Sequence, residues 1–370
     1  MTGYDLHIGP NIRKSPFFDA TVADGVRSFS VYNHMYIPGH FGDPDAEYER
    51  LIHGVAMWDV AAQRQVALEG PDAGRLAQML TPRDLYGTPV GQGRYVPICD
   101  HEGWLINDPV LMRLRDDLVW LSAADSDLHL WAAAVAHERG MDVRVSEPDA
   151  SPLAIQGPKA VEVAAALFGE AVRAMRPFAF RETSLDGIPL VLARSGWSKQ
   201  DGFEVYLTDG ARGGDLWALV KAAGAPWDIG PGAPNDVERI ESGLISYGAD
   251  MRWQTHPADP FEMGLGKFVD LDGPHDFIGR AALAARHSAG MSRRRTGVVV
   301  AGLPVTANAH PLPLMQGEAR VGTVSEIVRS PRLACNIGVA MVSLGAEDGL
   351  WIELRDGRRS VAMADLPFIK

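Results

Sequence analysis

Apolar and polar positions along the chain alternate between two rhythms. Arg64-Gln65-Val66-Ala67-Leu68-Glu69 reads as a strand that runs into Gly70-Pro71-Asp72-Ala73 and a helix, and Leu153-Ala154-Ile155-Gln156 runs in the same way into Gly157-Pro158-Lys159-Ala160. Proline in a first helical turn loses no hydrogen bond and already has helical φ, so the two stretches read as related α+β modules. Leu118-Val119-Trp120-Leu121-Ser122 predicts another strand. Residues 125–138 follow with Leu128, Trp131, Ala132 and Val135 at helical spacing and Asp125 as N-cap. Strands over 142–145, 189–193 and 203–207, with a helix near 215–223, predict antiparallel sheets with helices on one face. After Ser292 the helical rhythm disappears. Runs at 297–300, 318–324, 336–341 and 351–354, separated by Gly, Pro, Asn and Asp, predict a small all-β domain from about residue 288.

A length of 370 residues exceeds one ordinary core and predicts two or three packed domains. Hydrophobic residues at 46% and charged residues at 22% are enough for a large interior and leave no disordered tract to explain. The start Met1-Thr2-Gly3-Tyr4-Asp5-Leu6-His7 has no basic, then apolar, leader, and no run of about 18 apolar residues occurs, so a cytoplasmic protein without membrane association is expected. Cys99 and Cys335 are too few and too distant for a disulfide framework or a zinc site; buried thiols and no metal are expected. The net charge of −12 is uneven, with 11 Lys and Arg against 7 Asp and Glu after Leu283, and 24 against 40 before it. An acidic body of this kind repels nucleic acid and anionic lipid. Arg293-Arg294-Arg295, the one basic run, reads as a solvated linker ahead of a strand.

Several familiar signatures fail. Gly91-Gln92-Gly93 is followed by Val96, which breaks the dinucleotide fingerprint, and no Gly-Lys-Ser/Thr phosphate loop is present. His101-Glu102-Gly103-Trp104-Leu105 lacks the second histidine of a zinc helix, and there is no G-x-S-x-G elbow. His34 and His40 are six apart around Pro38, which fits neither one helix face nor one strand face.

One segment carries more information. Arg194-Ser195-Gly196-Trp197-Ser198-Lys199-Gln200-Asp201-Gly202-Phe203-Glu204-Val205-Tyr206 leaves a strand, turns through small and polar residues and returns into a strand that holds Glu204 rigidly. A carboxylate so held can accept two parallel hydrogen bonds from an N–C–N donor edge, such as a pterin presents. The segment resembles the folate-binding stretch of the glycine-cleavage T-protein superfamily. Four further landmarks fall in that family's order: Trp58-Asp59-Val60; Gly103-Trp104-Leu105-Ile106-Asn107-Asp108; Glu238-Arg239-Ile240-Glu241-Ser242-Gly243-Leu244; and Pro260-Phe261-Glu262-Met263-Gly264-Leu265 with Asp276-Phe277-Ile278-Gly279-Arg280 after it. Val31-Tyr32-Asn33-His34-Met35, Ile106-Asn107-Asp108-Pro109-Val110-Leu111 and the form of the 194–200 turn look like the dimethylsulfoniopropionate demethylases of that superfamily.

The resemblance implies an α+β, three-lobed, T-protein-like (aminomethyltransferase folate-binding) fold with a C-terminal all-β, barrel-like domain. The lobes expected are 1–50 plus 146–240 for folate, 51–145 plus 241–287 as a second α+β domain, and 288–370 as the barrel. It also implies site roles. Glu204 grips the pterin edge, with an exposed strand carboxylate as the alternative. Arg239 meets the folate's glutamyl tail, a carboxylate that suits a planar guanidinium, with a salt bridge to Glu241 as the alternative. Asp108 lies near the reactive folate nitrogen and is the catalytic candidate, with a turn Asp before Pro109 as the alternative. Tyr95 and Tyr206 line the cavity or serve only as core. Tyr32, Trp197, Phe178 and Tyr206 offer rings for a cationic substrate, and Lys199 or Arg194 a charge for its carboxylate.

The function implied is a tetrahydrofolate-dependent demethylase that moves a methyl group from a small sulfonium to N5 of tetrahydrofolate; a homodimer is compatible with it. A glycine-cleavage-type aminomethyltransferase, a methoxy-aromatic O-demethylase using His34, and a non-catalytic folate-binding assembly factor remain alternatives. Residues 176–181 lack the tryptophan expected to face a demethylase substrate, which leaves the donor open.

Overall fold

The computed structural model describes residues 8–346 and 348–370, so Met1–His7, on which the expectation of no leader falls, lies outside the described residues. Two compact units emerge, each built from chain segments that interleave along the sequence: residues 1–76, 87–95 and 109–234 form the first, and 77–86, 96–108 and 235–370 the second.

The first unit holds two sheets. Six strands run in the order Phe180–Leu185, Ile188–Ala193, Gly202–Leu207, Ser151–Gln156, Ala56–Asp59 and Gly230–Gly232, antiparallel except for the last pair. Five antiparallel strands run in the order Arg144–Ser146, Gln65–Glu69, Leu118–Ser122, Val110–Arg115 and Gly93–Tyr95. Strict alternation sorts the Gly202–Leu207 side chains. Phe203, Val205 and Leu207 pack with Val163 and Ala164 of the Ala160–Phe168 helix and with Leu216 and Val220 of the Gly213–Gly224 helix. Glu204 and Tyr206 point the other way, and Tyr206 joins Val191 and Ala193 against Ala67, Met112 and Trp120 of the five-stranded sheet. The six-stranded sheet therefore has helices on one face and a second sheet on the other.

The repeated Gly-Pro grammar has a steric cause. A Cβ on Gly70 would meet the Asp142 carbonyl oxygen at 2.6 Å, and one on Gly157 would meet that of Gly54 at 2.6 Å. In both modules a neighbouring backbone passes too close for any other residue. The helices begin at Ala73 and Ala160, just beyond each proline. The 125–138 helix begins only at Leu128, and Asp125 does not cap it: its carboxylate accepts the Asn33 N–H at 2.8 Å.

The second unit contains a closed, antiparallel six-stranded barrel in the order Arg293–Val300, Cys335–Ser343, Ala319–Ser330, Leu312–Gln316, Leu350–Leu354 and Gly357–Ala364, lined by Val298, Leu314, Ile327, Val342 and Ile352. Its first strand corrects the reading of the basic run as a linker. Arg293 forks onto Glu262 at 2.7 and 2.9 Å and Arg295 reaches Asp250 at 3.0 Å, while Arg294 between them faces solvent. Cys99 is buried and burial pushes its thiol up, whereas Cys335, expected to be buried, is half-buried. Among the described residues no helix is long and apolar enough to cross a membrane.

Candidate functional site

The 194–206 segment is built around Glu204. Its strand is clamped between Ser151–Gln156 and Ile188–Ala193, where its direct partners are Ala154 and Ala193. The carboxylate is 5% exposed. Ser195 donates its hydroxyl to Oε2, and the Tyr206 hydroxyl donates to the same oxygen at 3.2 Å. No hydrogen bond among the described residues reaches Oε1. Burial pushes the carboxyl up from its ordinary range, and the Ser195 and Tyr206 hydroxyls oppose that rise. Tyr206 is itself buried, and burial followed by the Glu204 charge holds its phenol well above its usual value.

The turn that supplies Ser195 is braced at both ends. Arg194 forks onto Asp201 at 2.6 and 3.3 Å and donates to the Met175 carbonyl at 2.9 Å. Inside the turn the buried amide of Gln156 donates to the Ser195 carbonyl at 3.2 Å and accepts from the Ser198 hydroxyl at 2.7 Å. A Cβ on Gly202 would collide with that amide, which explains a glycine at the entry of an otherwise bulky strand.

The facing sheet completes the surroundings. Gln65, Ser122, Val110 and Tyr95 lie directly opposite one another across four strands, so their side chains form one row on one face. That row ends the apolar cluster of Ala67, Met112 and Trp120, and the Ser122 hydroxyl accepts from the Gln65 amide at 3.1 Å. Tyr95, half-buried, stands at the end of the row. A crevice too narrow for a water molecule lies between the sheets, with Val110, Met112, Phe178, Phe180 and Ser195 in its wall. A roomier cleft of about 200 Å³ lies beside Asn33, Ala123 and Leu130. The crevice borders the Glu204 surroundings, because its wall includes Ser195, whose hydroxyl touches the carboxylate.

The structure distributes the remaining candidates unevenly. Phe178, 37% exposed and with φ +60°, lines the crevice, its carbonyl accepting the Gly93 N–H at 2.7 Å. Trp197 is half-buried and Lys199 exposed, both within the braced turn. Arg194, offered as an alternative to Lys199, is committed to Asp201 and to the backbone. Tyr32, half-buried, packs with part of its side chain against the helix-side core, the cluster on the face of the sheet opposite Glu204. Tyr206, with its hydroxyl committed to Glu204 and 1% exposure, belongs with the carboxylate rather than with an open substrate face. His34 pairs with Asp127 at 3.0 Å at an exposed hairpin turn. Asp108, in the second unit, is half-exposed and directly follows the Leu105–Asn107 strand; its N–H donates to Asn107 Oδ1 at 3.0 Å.

Arg239 requires a correction. It is fully buried, held by Glu326 and by both oxygens of Asp250 at 3.2 Å, so its guanidinium faces no space in which a ligand carboxylate could lie. Its ion-pair partners are these two and, at 3.7 Å, Asp236, not Glu241, which pairs instead with Arg332 and Ser330. Four residues around Glu204 went unnoticed in the sequence: Ser195 as its donor, Gln156 as the brace, and Ser122 with Gln65 behind Tyr206. Gln65, Ser122 and Gln156 share a readable signal, a polar residue at the end of an otherwise apolar strand.

The profile of the GCVT N-terminal domain family matches residues 17–273. The dimethylsulfoniopropionate demethylase DmdA of Ruegeria pomeroyi is 43% identical over 358 residues, covering 96% of each chain. An aminomethyltransferase of Rubrobacter xylanophilus is 29% identical over 363 residues, covering 97% of this chain and 95% of that protein. The crystal structure of glycine cleavage system aminomethyltransferase T from Bartonella henselae superposes with a TM-score of 0.83 at 22% identity, covering 97% and 98% of the two chains, and establishes the fold. With a matching family profile over most of its length and a full-length relative at this identity, the chain belongs to the GCVT N-terminal domain family, the T-protein superfamily that its Arg194–Tyr206 segment resembles.

Proposed function

We propose that this protein is a tetrahydrofolate-dependent demethylase that takes a methyl group from a small sulfonium, dimethylsulfoniopropionate or a close analogue. The observation that carries the reading is the state of Glu204: a buried carboxylate with two hydroxyls on one oxygen and none on the other. Such a group is poised for an N–H donor edge, and the pteridine of a reduced folate offers one. The 43% identity to a dimethylsulfoniopropionate demethylase supports the donor class.

When bound, tetrahydrofolate supplies N5 as the methyl acceptor. Glu204 fixes the pteridine edge, and Ser195 and Tyr206 keep the carboxylate ionised and oriented. Phe178 and Trp197 face the onium carbon and exclude water, and Lys199 meets the substrate's own carboxylate. The C–S bond breaks with its electron pair on sulfur, so the thioether leaves neutral and no acid is required. On the family resemblance, Asp108 would be the carboxylate to receive the proton that N5 loses once the N–C bond has formed. Catalysis then rests on alignment over about 3 Å rather than on activation of a leaving group.

The test is to incubate the protein with tetrahydrofolate and dimethylsulfoniopropionate and follow methylthiopropionate and 5-methyltetrahydrofolate. Equal amounts of the two products are expected. Absence of both at saturating levels of each substrate would remove this donor.

A further inference from the structure

We propose that Arg194 is a positioning residue: it holds Phe178 in a strained turn and so sets how the donor's onium lies against the folate held at Glu204. The inference rests on the reading of Glu204 as the group that binds the reduced pteridine and of Phe178 as a ring that faces the onium carbon.

The strain lies in one residue. Arg176-Pro177-Phe178-Ala179 closes as a four-residue turn, with the Ala179 N–H donating to the Arg176 carbonyl at 2.9 Å. Proline suits the second position of such a turn. The third, where Phe178 has φ +60°, is a place for glycine or asparagine, because a left-handed backbone crowds a larger side chain. A residue selected for the turn alone would not be phenylalanine. Such conformations persist where their surroundings over-determine them. Here the Phe178 N–H donates to the Arg194 carbonyl at 2.8 Å and the Arg194 N–H to the Ala179 carbonyl at 2.9 Å. On the other side the Gly93 N–H donates to the Phe178 carbonyl at 2.7 Å and the Gln92 amide to the Pro177 carbonyl at 3.2 Å. The turn thus links the Gly93–Tyr95 edge of one sheet to the end of the Ile188–Ala193 strand in the other.

Arg194 contributes more than its backbone. Its Nη1 donates to the carbonyls of Arg173 and Met175 at 3.2 and 2.9 Å, just ahead of the turn, while Nε and Nη2 reach Asp201 at 3.3 and 2.6 Å. One planar group therefore grips two pieces of chain at a fixed angle. The next residue is Ser195, the hydroxyl donor to Glu204, and Ser195 and Phe178 border the same crevice. The guanidinium joins the segment that carries the ring to the segment that carries the carboxylate's donor. Methyl transfer needs the acceptor nitrogen and the methyl carbon in line, so a slip between these segments lowers the rate more than it lowers the binding of either partner.

The experiment is steady-state demethylation of dimethylsulfoniopropionate at saturating tetrahydrofolate, with equilibrium binding of tetrahydrofolate under reducing conditions, for the wild type, Asp201→Asn, Arg194→Met and Phe178→Gly. Asp201→Asn frees the 194–201 turn but leaves Nη1 on its carbonyls, so folate should bind about threefold to tenfold more weakly while kcat changes little. Arg194→Met frees both segments: its folate loss should match that of Asp201→Asn, and its kcat should fall about 10- to 100-fold further. Phe178→Gly relieves the left-handed strain, so it should melt close to the wild type, keep wild-type folate affinity and share the fall in kcat; it keeps the test decisive if Arg194→Met does not fold. Equal kcat in Arg194→Met and Asp201→Asn, or wild-type turnover by Phe178→Gly, overturns the proposal. If the wild type itself forms no product, the functional reading falls and this inference with it. If the wild type turns over and Arg194→Met keeps its kcat, this inference alone falls.

Discussion

Glu204 in the first unit and Asp250 in the second are both buried carboxylates, 5% and 7% exposed, yet the chain has surrounded them in opposite ways. Asp250 is enclosed by cations: Arg239 at 3.2 Å and Arg295 at 3.0 Å, with the Ser246 N–H and the Ser325 hydroxyl completing its shell. Burial pushes its carboxyl up, but the two guanidinium groups outweigh that and hold it below the usual range. Glu204 has neutral donors on one oxygen only, and its carboxyl is raised. A buried charge that is fully paired is part of the fabric of its unit; one left with an open edge is a group awaiting a partner.

The largest effect that would sharpen this contrast is expected at the paired site. Asp250→Ala strands Arg239 and Arg295 without their shared anion and should cost about 3–5 kcal/mol, read as a lower urea midpoint. In the wild type, the stability that Asp250 contributes is fully present above the carboxyl's unfolded value and is lost as pH falls through its depressed folded value. Glu204→Gln is expected to behave inversely. Folate affinity should drop on the order of 100-fold, about 2.7 kcal/mol, by calorimetry, while stability at neutral pH stays level or rises. A marked loss of stability in that variant would erase the distinction. The smallest effect concerns Asp59, which is fully buried at the end of its strand, accepts from the Ser15 hydroxyl at 2.5 Å and the Ala61 N–H at 3.1 Å, and has its carboxyl pushed by burial to about 6. The folded protein binds that proton more tightly than the unfolded chain, so stability should fall as pH rises from the ordinary carboxyl range through about 6. Asp59→Asn should flatten that slope and gain about 2 kcal/mol at neutral pH by thermal melts.

Period-two alternation in Phe203-Glu204-Val205-Tyr206 was enough to set the key carboxylate apart from its apolar neighbours, and the turn-rich runs after Ser292 were enough to foresee an all-β domain, whose closure into a barrel was implied only by the family resemblance. Arg239 shows where such reading stops. The sequence displays its neighbour Glu241, but the two acids that hydrogen-bond it lie 11 and 87 residues away, and only folding brings Asp250 and Glu326 to it. Arg293-Arg294-Arg295 misled for a related reason: a run of like charge looks solvated until alternation on a strand sends its first and third members to buried acids. Ser122 and Gln65 stayed hidden because each ends an apolar strand, and their meaning depends on which strand lies opposite.

The clasp between Arg194 and Asp201 closes a ring of eight residues before anything binds. A turn rich in small and polar residues would otherwise sample many shapes, and an incoming molecule would have to select one of them. With its ends joined and its middle tied to Gln156, the hydroxyl of Ser195 is already presented to Glu204, so association entails little loss of chain entropy and affinity reflects the contacts themselves.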